Sequence, residues 1–112
     1  MANRTETAPP AAPAWLAGSL RARWNELAPV LFKMGSLTEL EAGILARMIV
    51  AENNYLQVSN LLQGALLDQD GESANKWLAA QDKLIRQIQT LGADLGLSAE
   101  KRKAMGWKLP IN

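Results

Sequence analysis

The chain has 112 residues, of which 48% are hydrophobic and 21% charged, a balance typical of one folded domain. It contains no cysteine and no histidine, which excludes disulfide bonds, thiolate catalysis and the commonest metal ligand and proton carrier. The net charge of +1 is uneven: residues 36–72 contain one basic and six acidic side chains, whereas residues 96–112 contain four basic and one acidic.

The N-terminal segment is polar, rich in alanine and interrupted by Pro9, Pro10 and Pro13. Proline favours extended backbone, and this segment has little to bury, so we expect residues 1–13 to form a disordered arm. The segment lacks the apolar core of a signal peptide, and no run of 18 apolar residues follows it. The expected location is therefore the cytoplasm.

A first helix is predicted from Trp15 to Met34, where apolar residues recur every three or four positions. Pro29 predicts a kink in this helix, or a break near Ala28. Trp15, Trp24 and the later Trp77 are interpreted as anchors of the core or of an interface.

A second helix is predicted from Thr38 to about Leu67, because the sequence TELE has the spacing of a capping box and helical periodicity continues without a proline. It has roughly 29 residues and a length of about 43 Å. The composition of residues 68–73 predicts a turn, with Gly71 at positive φ.

A third helix is predicted from a Ser73 cap to a left-handed Gly96, followed by a short helix from Ser98 to Gly106. The fold class is therefore all-α: a long antiparallel helical hairpin with an N-terminal helix and a short C-terminal helix. We expect a helical domain over residues 14–106 and a tail over residues 107–112.

The second helix is longer than the diameter of about 34 Å expected for a globule of this size, so the hairpin should protrude. Its off-stripe apolar side chains then need a second partner, which predicts an oligomer interface. The alternative is that they contact only the first helix. These side chains are Leu45, Ile49, Leu56, Leu61, Leu66 and Leu67.

The densest basic cluster is a candidate nucleic-acid site, because cations fanned over a short helix suit phosphates. It consists of Lys101, Arg102 and Lys103, with Lys108 downstream. A solvated helix end is the alternative interpretation. Arg21, Arg23 and Lys33 are weaker candidates for the same role.

The acidic residues do not converge in the sequence, and no phosphate loop, nucleophile elbow or paired-carboxylate motif is present. We therefore expect no metal site, no cofactor and no enzymatic activity. Trp107 either stacks on a base or, as tryptophans more often do, folds onto the nearest apolar surface.

Two sequence blocks resemble the small terminase subunit of tailed bacteriophages. They are AWLAGSLRARWNELAPVLFKMGSLTELE, with Tyr55 following, and LGADLGLSAEKRKAM, which contains a leucine-glycine-leucine-serine segment before a basic turn. The sequence departs from the family pattern at Glu41, where aspartate is common, and at the hairpin tip, which lacks the usual proline. No helix-turn-helix precedes the hairpin.

The resemblance implies a non-catalytic, ring-forming protein that binds double-stranded viral DNA in the host cytoplasm. It also implies that the protein presents this DNA to the large terminase subunit, the packaging ATPase and nuclease. A ring would repeat the basic turn of each subunit around one axis and form a collar of positive potential. The alternatives are a helical protein–protein scaffold without nucleic acid, and a compact transcription regulator, for which the recognition helix is missing.

Overall fold

The computed structural model of the protein describes residues 8–97, which form three helices: α1 (Ser19–Lys33), α2 (Ala42–Leu67) and α3 (Gly71–Asp94). These residues contain no strand, which confirms the all-α class. α2 and α3 pack against each other as a hairpin, and α1 packs on α2. The predicted helix from Ser98 lies outside the described residues.

The first helix differs from its prediction at its first residue and at Pro29. α1 begins at Ser19 rather than Trp15, because Gly18 adopts φ 60° and ψ −134° and reverses the chain before the helix. The predicted break near Ala28 is wrong, since Pro29 lies inside α1. Pro29 and Asn25 are both exposed, so water can hydrate the Asn25 carbonyl that the proline nitrogen cannot bond.

All three helices end in the same hydrogen-bonded motif with a residue in the left-handed region. After α3, Gly96 has φ 72°, as predicted, and the Leu97 amide donates to the Gly92 carbonyl at 2.9 Å. After α2 the left-handed residue is Gln69, with φ 56°, and not the predicted Gly71. Gly71 is instead the first residue of α3.

The start signals of α2 and α3 are each displaced from their predicted residues. The Glu41 carboxylate accepts from the Thr38 amide at 2.9 Å, as in a capping box, but the regular helix begins only at Ala42. α3 is capped by Asp70, whose carboxylate accepts from the Ser73 amide at 3.1 Å, so the expected Ser73 cap is wrong.

The core lies at one end of the hairpin, which we call the base: the end where α1 finishes, α2 begins and α3 finishes. Towards the other end, the tip, α2 and α3 bury only the small side chains of Ala65 and Ala74 against each other. The hairpin is therefore thick at the base and thin at the tip. The largest fully buried side chains are Leu16, Leu31, Leu37, Leu45, Met48, Ile49 and Ile88.

Residues 8–13, part of the predicted arm, lie along α1. Pro10 is buried, although the composition of this segment predicted little burial. Pro9 and Pro10 border a shallow cleft whose other side includes Trp24 and Pro29 of α1. The first seven residues lie outside the described range. Within residues 8–97 no helix combines the length and apolar character needed to cross a bilayer.

Candidate oligomer and nucleic-acid interfaces

A continuous side of α2 faces α1 at the base and is uncovered nearer the tip. This side, which we call the α2 stripe, is defined by residues spaced by 4, 3, 4 and 11 positions, each interval close to a whole number of helical turns. They are Leu45, Ile49, Glu52, Leu56 and Leu67. With 15 residues, α1 is about 22 Å long, whereas α2, with 26, is about 39 Å. α1 therefore covers the stripe for only part of its length.

The structure divides the six predicted interface residues into two groups. Leu45 and Ile49 are 0% and 1% exposed, so the expectation that one chain leaves them uncovered is wrong. They are buried because they face α1, the alternative considered above. The other four are about half exposed or more: Leu56, Leu61, Leu66 and Leu67.

Leu78 on α3 adds to the exposed apolar surface and was missed in the sequence. It is half exposed and lies four residues after the buried Ala74, at the margin of the α3 face that contacts α2. The sequence could have indicated its exposure, because Leu78 follows Trp77 and lies outside the main apolar stripe of α3. At the base, Leu40 is also exposed, at 87%.

The exposed leucines are energetically significant. Complete burial of a leucine contributes about 1.5–3 kcal/mol, so the exposed halves of five such side chains correspond to roughly 4–8 kcal/mol. This is comparable with the whole stability of a small domain. These leucines do not form one surface, because Leu61 lies about 140° around α2 from Leu56 and Leu78 is on α3. Leu56 and Leu67 share a side of α2, and that side is the candidate for contact with another protein surface.

A groove of about 320 Å³ opens between α1 and α2, near the N-terminal end of α1. Its apolar lining comes from Leu20, Ile49 and Leu56, and its polar lining includes Glu26 and Asn53. The exposed face of Leu56 belongs both to this groove and to the α2 stripe. The groove thus lies where α1 stops covering α2.

An ion pair between Arg23 and Glu52 forms one wall of the groove. Arg23 Nε and Nη2 donate to the two oxygens of Glu52 at 3.1 and 3.2 Å, a two-point geometry that only a guanidinium provides. Burial alone lowers the pKa of Arg23, but the hydrogen bonds and charge of Glu52, with a smaller effect of Glu26, raise it overall. Arg23 is therefore engaged within the chain and is not the available cation that its sequence position suggested.

Arg21 and Lys33, the other candidates for DNA contact that the structure describes, differ in whether they are engaged in contacts within the chain. Arg21 donates to the carbonyls of Leu16 and Pro13 at 2.8 and 3.1 Å, so it fixes the chain before α1. Lys33 is exposed in the last turn of α1, at the base. The main predicted cluster, Lys101, Arg102, Lys103 and Lys108, lies outside the described residues.

Other exposed cations were not singled out in the sequence. Arg47 is exposed near the base, on the second turn of α2. On α3, Lys76 lies 4.9 Å from the centre of the Trp77 ring, Lys83 is exposed, and Arg86 pairs with Asp82. These α3 side chains follow the exposed side of the hairpin and do not form a cluster.

The described residues contain no group of three potential metal ligands, and the acids at the tip point into solvent. A polar bridge does join the two arms of the hairpin near its middle: the Gln81 amide donates to Ser59 Oγ at 2.9 Å, and that hydroxyl donates to the Tyr55 carbonyl. Every buried polar side-chain atom between residues 8 and 97 has a partner. The surface therefore offers apolar contact area and dispersed cations.

Residues 21–109 match the family described as "Phage terminase, small subunit". The match extends over most of the chain and includes nearly all of α1, the whole of α2 and α3, and the basic C-terminal segment. Searches of curated proteins and of solved structures found no significant match.

Proposed function

The chain belongs to the phage terminase small-subunit family, and from this premise we propose that it assembles into a cyclic oligomer that binds viral double-stranded DNA. In this role it works in the host cytoplasm and presents the DNA to the large terminase subunit. It does no chemistry itself, and the large subunit supplies the ATPase and nuclease activities.

The observation that supports assembly is the uncovered apolar surface towards the tip of the hairpin. Leu56 and Leu67 continue a stripe that α1 covers nearer the base, and Leu66 and Leu78 enlarge it. A second copy can cover this surface and recover the free energy lost by its exposure to water.

The distribution of charge along the chain supports a DNA-binding end away from the tip of the hairpin. The tip carries Asp68, Asp70 and Glu72, whereas the base carries the cations Lys33 and Arg47 together with the acids Glu39, Glu41 and Asp94. The positive excess is in the sequence that follows α3, since residues 96–112 contain four basic side chains and one acidic. If all copies in a ring point the same way, the acids of the tip gather into a negative collar, and we expect the basic segments of the copies to form a positive one. The positive collar attracts the phosphate backbone without reading its sequence.

The decisive experiment measures duplex binding as a function of salt. Replacing Lys101, Arg102 and Lys103 by alanine should weaken binding to all sequences and reduce the slope of log K against log salt, by about 0.9 for each lost phosphate contact. The matched control removes three charges from α3, at Lys76, Lys83 and Arg86, and should keep most of the slope.

The oligomer is measured beside binding by native mass spectrometry. Unchanged DNA binding by the first triple variant would transfer the DNA-binding role to Lys33 and Arg47, the exposed cations near the base. An intact oligomer without duplex affinity at low salt would contradict the DNA-binding part of the proposal. It would favour the alternative, a helical scaffold for another protein, which the exposed leucines support equally well.

A further inference from the structure

Trp15 is the one aromatic side chain in residues 8–97 that is mostly exposed, at 62%. It lies on a turn that several contacts fix: the Leu16 amide donates to the Pro13 carbonyl at 3.0 Å, and Arg21 donates to the carbonyls of both residues. The neighbouring Leu16 side chain is fully buried. These contacts fix the backbone of the turn that presents the exposed indole, so a contact through Trp15 requires little further ordering of the backbone.

The α1–α2 groove has the chemistry that an indole requires. An indole has a large apolar body and a single N–H donor, which usually finds an acceptor when it is buried. The groove provides apolar contacts from Leu20, Ile49 and Leu56, and the acceptor oxygens of Glu26 and Asn53. Its volume of about 320 Å³ accommodates one aromatic side chain.

We propose that Trp15 of one copy inserts into the α1–α2 groove of the next copy. This contact rests on the cyclic oligomer of the proposed function. Trp15 does not line the groove of its own chain, because its turn directs it outward. A protruding anchor and a separate recess on the same chain form a head-to-tail contact, which repeats from copy to copy until the ring closes. Leu56, one of the uncovered leucines of α2, lines the groove and would take part in this contact.

Disulfide cross-linking tests the contact directly, because the chain contains no cysteine of its own. Ala14→Cys places a thiol beside Trp15 and keeps the indole, and Asn53→Cys places one in the groove. Under mild oxidation, a mixture of the two single variants should give covalent dimers that contain one of each. Each variant alone should stay uncross-linked, whereas the double variant should give a ladder of multimers. No mixed dimer would overturn the proposal.

Two surface variants provide an independent test by native mass spectrometry. Trp15→Ala removes the anchor and Leu56→Lys blocks the groove, so each should reduce the oligomer to monomers, with helix content unchanged by circular dichroism. Mixing them should restore dimers and nothing larger, since only one of the two contacts is intact. The control Leu40→Lys changes an exposed leucine elsewhere and should leave the oligomer unchanged.

The outcomes separate this contact from the proposed function. If Trp15→Ala and Leu56→Lys assemble like the wild type, the contact is overturned, although the oligomer stands. If the wild type is a monomer at micromolar concentration, both the contact and the cyclic oligomer are overturned.

Discussion

The ion pair between Arg23 and Glu52 predicts an unequal effect of removing its two partners. Glu52 keeps 7% of its side chain exposed and Arg23 keeps 28%. Arg23→Met removes a two-point ion pair from a nearly buried carboxylate, whereas Glu52→Leu removes it from a guanidinium that can extend into water along the groove. We therefore expect the first change to destabilise the fold more than the second.

The magnitude follows from the burial of the pair. Removing one partner of a fully buried pair costs about 3–5 kcal/mol, and the partial exposure of Arg23 reduces the cost of Arg23→Met to about 2–3 kcal/mol. For a domain of this size, that lowers Tm by roughly 10–20 °C. The double variant Arg23→Met with Glu52→Leu removes both charges and should recover most of the loss.

Urea unfolding followed by circular dichroism measures all four proteins, at one fixed protein concentration because assembly shifts apparent stability. The predicted order of stability is wild type and double variant first, then Glu52→Leu, then Arg23→Met. If Arg23→Met unfolds within 0.5 kcal/mol of the wild type, the pair does not hold α1 on α2. If the double variant is as unstable as Arg23→Met, the loss comes from packing and not from the loss of the ion pair.

Three further predictions concern helix ends. The left-handed Gln69 predicts that Gln69→Gly raises the free energy of unfolding by about 0.5–1 kcal/mol, and that Gly96→Ala lowers it; the opposite signs would contradict the helix-end geometry. Gly71 has free space around it in the first turn of α3, so Gly71→Ala should stabilise the protein by about 0.4–1 kcal/mol in urea unfolding. Hydrogen bonds from Thr38 lower the pKa of Glu41, so its stabilisation is present above the ordinary glutamate pKa and is lost as pH falls through the lowered value. Glu41→Gln should therefore flatten the acid side of a plot of Tm against pH, and an unchanged curve would refute this.

Periodicity predicted the helices well, because a helix needs only a repeated apolar face and a local stop signal. The Gly96 stop is an example: it requires a residue that adopts positive φ, and glycine is the obvious one. At the tip the same rule failed. Gln69 takes the left-handed position because the preceding helix extends to Leu67, and Gly71 comes two residues too late to end it.

The candidate surfaces were only partly predictable, since periodicity assigns a residue to a face without saying what covers that face. Ile49 and Leu56 belong to one stripe, yet α1 buries the first and leaves half of the second in water. Arg23 and Glu52 are 29 residues apart, so their pairing depends on how α1 lies on α2. Arg23, which the sequence suggested as a candidate for DNA contact, is therefore engaged in an ion pair within the fold.

Gly18 connects the two features of the proposed contact between copies, the α1–α2 groove and the exposed Trp15. Its backbone conformation, with φ 60° and ψ −134°, is accessible to few residues other than glycine, and it reverses the chain immediately before α1. The reversal stops α1 from extending along α2, which leaves Leu56 uncovered. It also holds the preceding turn against α1, where Arg21 fixes it and Trp15 projects outward. One local conformation thus opens the recess and presents the anchor, so that each copy carries both halves of a contact it cannot make with itself.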